Sequence, residues 1–401
     1  MPDFGSLSHL KVIDASRVLG GPYAGQILAD HGADVIKLEP PAGDETRGWA
    51  PPFLDGTASY FLGLNRNKRG MALDIAQPAG REVLLALLET ADVFIENFKT
   101  GTLERWGIGY DELSARFPRL IHCRVSGFGA DGPLGGLPGY DAAIQASCGI
   151  MSVNGEIGGQ PLRVGLPVVD MVTGLNAVIG ILMAIAERTL SGKGQFVETT
   201  LYDCGVSLLH PHLPNYYLSD KVARPTGNAH PNICPYDTFA TGTDPIFLAV
   251  GNNRQFATLC AEIGRPELPK DLRFESNQER NIHRDTLKVE LEQALAAFAC
   301  TELVDRLIHA GVPCGSVRSI DQVVADPHTT HREMIVDIGQ YRGTGSPIKL
   351  SRTPPSYRLA PPQFAEHTAE ILQDLSLEGD EYIDVLPGFS RNTDLKTTKE
   401  K

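Results

Sequence analysis

The run VGLPVVDMVTGLNAVIG, residues 164–180, holds one ionisable side chain, Asp170, and no other charge falls between Arg163 and Glu187. Burying an unpaired carboxylate costs on the order of several kcal/mol, so an acid isolated in apolar surroundings needs a structural partner or a chemical role. As a helix N-cap, Asp170 would accept the orphan N–H groups of a helix starting at Met171. As a nucleophile, it would attack an acyl carbon and carry a covalent intermediate. The helix N-terminus would then help to keep it ionised, and apolar walls would keep water from the adduct. Spacing alone leaves both roles open.

Other segments offer partners for such chemistry. GFGADG matches GxGxxG through Gly127, Gly129 and Gly132, directly after a predicted strand. A dinucleotide fingerprint would open a helix there, whereas Pro133 and LGGLPG continue as a loop. Glycine-rich backbone still presents N–H groups at close range, which suits an oxyanion or a thioester. Basic residues gather in NRNKRG (Arg66, Lys68, Arg69), and Lys99 and Arg105 follow DVFIEN. Asn97, Phe98 and Lys99 end a predicted parallel strand, the edge at which open α/β sheets bind ligands. An anionic nucleotide-type ligand would find phosphate partners there; solvated surface charge is the competing reading. His328 with His331, and His210 with His212, have metal-compatible spacing but no Cys or carboxylate cluster beside them, so loop histidines and no metal are expected. GxSxG does not occur, and no cysteine has a histidine neighbour suggesting a nucleophilic pair.

These residues need a scaffold, and the first two hundred positions supply an alternating one. Strands are predicted at Lys11–Ser16, Asp34–Glu39, Met71–Ile75, Asp92–Asn97, Leu120–Ser126 and Gln195–Leu201. Helical patterns lie between several of them, at Pro22–His31, Pro78–Thr90 and Met171–Leu190. That alternation predicts an α/β fold with a parallel sheet covered on both faces. After about residue 220 the texture changes to a β-hairpin in YDTFATGTDPIFLAVG, a helix at Arg254–Ile263, a helical region at Arg284–Ala310, and strands at Val312–Val317 and Pro347–Ser351. The expected layout is 1–205 as the large domain, 206–225 as a linker, and 226–325 as a small α+β domain. Residues 326–390 then return to the large domain, and 391–401 form a frayed tail.

Bulk properties narrow the partners. The 401 residues carry a formal charge of −13, are 42% hydrophobic and 21% charged, and contain no long basic run. Such a surface repels nucleic acid and anionic membranes, so neither is an expected partner, and a phosphate-bearing ligand needs a local basic pocket. Seven scattered cysteines without a CxxC pair favour reduced thiols. The N-terminus lacks a signal-peptide pattern, and Met171–Ala186, interrupted by Thr173, Gly174, Asn176 and Gly180, reads as a buried core helix rather than a membrane span. The expected compartment is the cytoplasm or an organelle matrix.

VIKLEPPAGDETRGW, NRNKRGMALDI, DVFIENF, SGFGADGP, GYDAAIQA, the Asp170 segment and LSGKGQFVETTLYD together give a chain that resembles the family III CoA-transferases, the group that includes formyl-CoA transferase and carnitine CoA-transferase. SRVLGGP, GDETRGWAPPF and GNNRQFATLC make it most similar to dicarboxylate-type members. The resemblance implies a Rossmann-like large domain with a smaller inserted domain, two chains interlocked as a homodimer, and Asp170 as nucleophile. CoA would lie along Leu73–Ile75 (Leu73 and Ile75 among the contacts), Asn97, Phe98, Lys99, Arg105 and Tyr140, and Gly127 and Gly129 would offer oxyanion N–H donors. CoA thioesters, with succinyl-CoA as donor, and a small carboxylic acid would be substrates, with no permanently bound cofactor. Acyl-aspartyl anhydride and aspartyl-CoA thioester intermediates are implied as well.

Members often carry basic residues where this chain has Pro40 and Ala76, so two CoA phosphate contacts are expected either to be missing or to be supplied by Lys37, Arg66 or Lys68. The run of consecutive glycines of formyl-CoA transferases is absent, which disfavours a formyl or oxalyl substrate. α-Methylacyl-CoA racemases share the fold, but they need a histidine where GYD places Tyr140, and a phenol is a poor base near neutrality. A non-catalytic CoA-binding protein would not need the isolated Asp170. A dicarboxylate asks for an arginine at its far end, and Arg17, Arg47 and Arg163 are the candidates.

Overall fold

The computed structural model describes residues 5–389 and divides into two compact units. The first comprises residues 5–148, 164–208 and 328–389. Its centre is a six-stranded sheet of β1 (Lys11–Asp14), β2 (Asp34–Glu39), β3 (Lys68–Ala72), β4 (Val93–Glu96), β5 (Ile121–Ser126) and β6 (Phe196–Thr200). Every neighbouring pair is parallel, in the order β3-β2-β1-β4-β5-β6. Val12, Ile13, Phe94 and Ile95 are wholly buried, as expected of strands covered on both faces. The helices concerned are α1 (Gly20–Asp30), α2 (Pro78–Glu89), α3 (Asp141–Ser147), α4 (Val168–Ser191) and α5 (Leu201–Ser207). Val83, Leu84, Leu87 and Leu88 of α2 join Ile36, Met71 and Phe94 in one core cluster.

The chain winds outward from β1 through β2 to β3, then starts again on the other side of β1 with β4. The loops after β1 and β4 therefore diverge and leave a crevice at their C-terminal ends, where open α/β sheets take ligands. α4 crosses beside that crevice and packs on α1, and the contact depends on glycine. A Cβ on Gly174 would lie 2.7 Å from the Gly20 carbonyl oxygen.

The second unit, residues 149–163 and 209–327, carries a three-stranded antiparallel sheet. β7 (Tyr236–Phe239) pairs with β8 (Ile246–Ala249), and β8 with β9 (Cys314–Ser316). Phe256 and Leu259 of α6 (Asn253–Glu262), Leu287 and Leu291 of α7 (Arg284–Leu295), and Leu303 and Leu307 of α8 (Cys300–His309) form its core.

Several expectations are corrected. The strand expected at Met71–Ile75 begins at Lys68 and ends at Ala72: the Leu73 N–H still donates to Glu39 on β2, but the Asp74 N–H turns to the Val385 carbonyl. Residues 149–163 leave the first unit, since Gly155 accepts from Gly227 and the segment folds on itself through Asn154 and Leu162. The expected linker contains a helix, His212–Ser219. Pro347–Ser351 forms no strand; the nearby hairpin is β10 (Ile335–Ile338) with β11 (Tyr341–Thr344). α4 is not wholly buried. Ala177, Ile181 and Ala184 face inward, while Leu175, Ile179, Leu182 and Met183 are exposed. By length and composition alone α4 is apolar enough to cross a membrane, yet its inner face packs on α1 and the sheet. The expected tail, 391–401, lies outside the described residues.

Candidate active site

The crevice is a cavity of about 280 Å³ with Asp170 on its wall. The loop after β1 contributes Arg17, Val18 and Leu19, the loop after β4 contributes Asn97, Phe98 and Lys99, and the glycine-rich stretch after β5 contributes Gly127 and Tyr140. Asn97 clasps the first two loops together: its side-chain oxygen accepts from the Arg17 N–H at 2.9 Å, and its amide donates to the Arg17 carbonyl at 2.8 Å. Val18 sits at φ +72°, a left-handed conformation that is costly for a β-branched residue. A second, apolar cleft of about 200 Å³ adjoins the first through Arg17 and Phe98, and Leu73, Ile75, Pro40 and Trp106 line it.

Asp170 is not an N-cap. α4 starts at Val168, so Asp170 is its third residue. The first-turn N–H groups are capped from another helix: Asp141 Oδ2 accepts from Val169 at 2.8 Å and from Asp170 at 3.1 Å. The acceptor of the α4 first-turn N–H groups is therefore Asp141 rather than Asp170, which corrects the N-cap expectation from sequence. Burial, with Asp141 adding repulsion, pushes the Asp170 carboxyl up to about 7. Its own oxygens accept no hydrogen bond from any described residue. The Gly127 N–H is also without a protein acceptor among the described residues. A Cβ on Gly127 would sit 2.7 Å from the Gly139 nitrogen, so only glycine lets these two loops meet.

A profile of CoA-transferase family III matches residues 7–368. The chain belongs to that family. It is 38% identical to the succinate–glutarate CoA-transferase of Agrobacterium fabrum over 92% of this chain and 95% of the relative. To the succinyl-CoA:mesaconate CoA-transferase of Haloarcula hispanica it is 37% identical over 92% and 96%. A crystal structure of a CAIB/BAIF family protein from Brucella suis aligns with TM-score 0.83 and 40% identity, covering 92% of this chain and 99% of that one.

Within this family III chain the anticipated site residues have different fates. Asp170, Asn97, Phe98, Lys99, Tyr140, Arg17 and Gly127 line one cavity, and Leu73 and Ile75 line the adjoining cleft. Gly129 does not offer a free donor, because its N–H is taken by Ser126 Oγ at 3.1 Å. Asn97 is spent on the Arg17 backbone. Arg105 lines neither cavity; it sits on the exposed turn Thr102–Arg105 and donates to Thr102 Oγ1 at 3.0 Å. Arg47 is held by both oxygens of Glu39, at 2.7 and 2.6 Å, and stacks on Phe61. Arg163 falls in the second unit.

The expected phosphate partners are likewise engaged in ion pairs, Lys37 with Asp44, Arg66 with Asp30 and Lys68 with Asp14. Arg69 pairs with Asp34, Glu370 and Asp374. Removing such acids from around a buried cation would cost more than a phosphate contact returns. Sequence reading missed Asp141, which GYDAAIQA contains, and the ring cluster of Trp49 with Tyr60 at 5.1 Å and Tyr140 at 6.4 Å. Burial first, then Asp170 and Asp141, hold the Tyr60 phenol at about 12, so it stays a hydrogen-bond donor at neutral pH.

Proposed function

We propose that this CoA-transferase moves CoA from succinyl-CoA to a dicarboxylic acid through covalent adducts on Asp170. The observation that carries the reading is a carboxylate with no hydrogen-bond partner among the described residues, on the wall of a cavity at the sheet's switch point. An Asp170 oxygen attacks the thioester carbonyl, the C–S bond breaks, and an acyl-aspartyl anhydride and CoA thiolate result. The thiolate then attacks the Asp170 carbonyl and expels the donor carboxylate, leaving an aspartyl-CoA thioester. The acceptor carboxylate attacks that thioester, re-forming an anhydride and the thiolate. Attack of the thiolate on the new acyl carbon yields the product thioester and frees Asp170. Each step exchanges one acyl bond for another, with no net proton. The Gly127 N–H is the oxyanion donor in this scheme, and the burial of Asp170, 9% exposed, keeps water from the anhydride.

CoA runs through the adjoining cleft past Leu73, Ile75 and Phe98, with Lys99 beside its phosphates. Arg17 takes the distal carboxylate, since it lines both cavities and makes no ion pair among the described residues, whereas Arg47 is held by Glu39. Relatives named for glutarate and mesaconate support a dicarboxylate acceptor. The exposed apolar face of α4 supports a homodimer in which a second copy covers it. No resident cofactor enters the scheme. Incubating the protein with succinyl-CoA and a panel of dicarboxylic acids tests the function: mass spectrometry should identify a new dicarboxyl-CoA. Retention of transfer by Asp170→Asn would overturn the covalent route.

A further inference from the structure

Resting on Asp170 as nucleophile, we propose that Asp141 is its positioning residue: its carboxylate holds the backbone of Asp170 and, as a fixed negative charge beside it, favours the acylated over the free nucleophile. Both parts stand on geometry. Asp141 is 7% exposed, and its Oδ2 ties down the N–H groups of Val169 and Asp170. Its Oδ1 accepts from Gln145 Nε2 at 2.6 Å. Gln145, wholly buried, also accepts from the Val164 N–H at 2.8 Å through Oε1. One Asp–Gln pair on α3 thus braces the segment from Val164 to Asp170.

The charge has a direction. Two N–H groups at a helix N-terminus and an amide donor point at the Asp141 carboxylate, while Asp170 receives no such bond from the described residues. The other titratable groups on the cavity wall are Glu45, Tyr140, Arg17 and Lys99, and Tyr60 lies near enough to feel both acids. Arg17 and Lys99 reach into solvent-accessible space, so Asp141 is the charge fixed against the nucleophile. Acylation turns the Asp170 carboxylate into a neutral anhydride or thioester and relieves the repulsion. The same repulsion makes free Asp170 more basic, and a more basic oxygen is a better nucleophile.

The test uses the full chain with succinyl-CoA and glutarate across mildly acidic to mildly alkaline pH. Wild-type kcat/KM should rise with pH as Asp170 ionises. Asp141→Asn and Asp141→Ser, both neutral, should move the midpoint down by about one pH unit or more. They should also cut the covalently occupied fraction, read by intact mass with donor alone, about tenfold. Gln145→Met removes the brace and keeps the charge, so it should lower the melting temperature and leave the midpoint in place. If both neutral variants keep the wild-type midpoint, or Gln145→Met moves it equally, the proposal is overturned and the nucleophile reading stands. If wild type forms no adduct and Asp170→Asn remains active, the nucleophile reading itself falls.

Discussion

An acid buried without a partner is held against its own solvation, and Asp170 shows what that implies. Its carboxyl is pushed up to about 7 from 3.8 by burial, then by Asp141. Between those values the native state binds the extra proton, so folding stability falls as pH rises, and above about 7 the full penalty is present. Asp170→Asn should therefore abolish transfer and yet melt higher than wild type at mildly alkaline pH. The gap, a few kcal/mol at most and about 1.4 kcal/mol per pH unit, should close toward pH 4. Calorimetry across pH checks it. Arg17→Ala should raise the KM for a dicarboxylate about tenfold or more, with a smaller effect on a monocarboxylate of similar length; steady-state kinetics with paired acids decide this. The isolation of Asp170 was legible in the sequence because absence of charge is a local property. Its electrostatic neighbour was not, since Asp141 lies 29 positions away and joins it only through folding. The same holds for Arg47 and NRNKRG. Their basic character is visible in a line of text, while the acids that occupy them come from other strands and helices.

At the level of elements, the alternation of strand and helix was readable because parallel strands bury both faces and helices one. Strand ends were less so: Met71–Ile75 reads as a strand by composition, yet the backbone leaves the sheet at Asp74, whose N–H goes to Val385, more than three hundred residues on. Pro347–Ser351 has the residue types of a strand but finds no partner edge among the described residues. Glycine spacing in α4 reads as interruption, and structure gives it a purpose in the α1 contact. Gly174→Ala would put a methyl 2.7 Å from the Gly20 carbonyl and 3.0 Å from Tyr23. The two helices must part, at about 1–3 kcal/mol. The expected result is a melting temperature several degrees lower, together with a fall in kcat, because α1 and α4 both border the cavity.

For the whole molecule, the outer face of α4 sets the expected assembly. Leu175, Ile179, Leu182 and Met183 recur at helical spacing and are 38–67% exposed, a stripe that a second copy would cover. If a second copy covers this face, Ile179→Asp with Met183→Asp should shift the protein from dimer toward monomer in sedimentation analysis; an unchanged mass would overturn that assembly. The return segment has a different consequence, one of biosynthesis. Asn67 uses its oxygen for the N–H groups of Arg358 and Leu359 and its amide for the Ser356 carbonyl, and Gly70 exchanges hydrogen bonds with His367. A nascent chain completes every cavity-lining residue by Leu201, yet β3 lacks these seats until more than a hundred further residues have been synthesised. Until then the β3 edge stands without the hydrogen bonds that close it in the finished chain, an exposed strand edge of the kind that pairs with other chains.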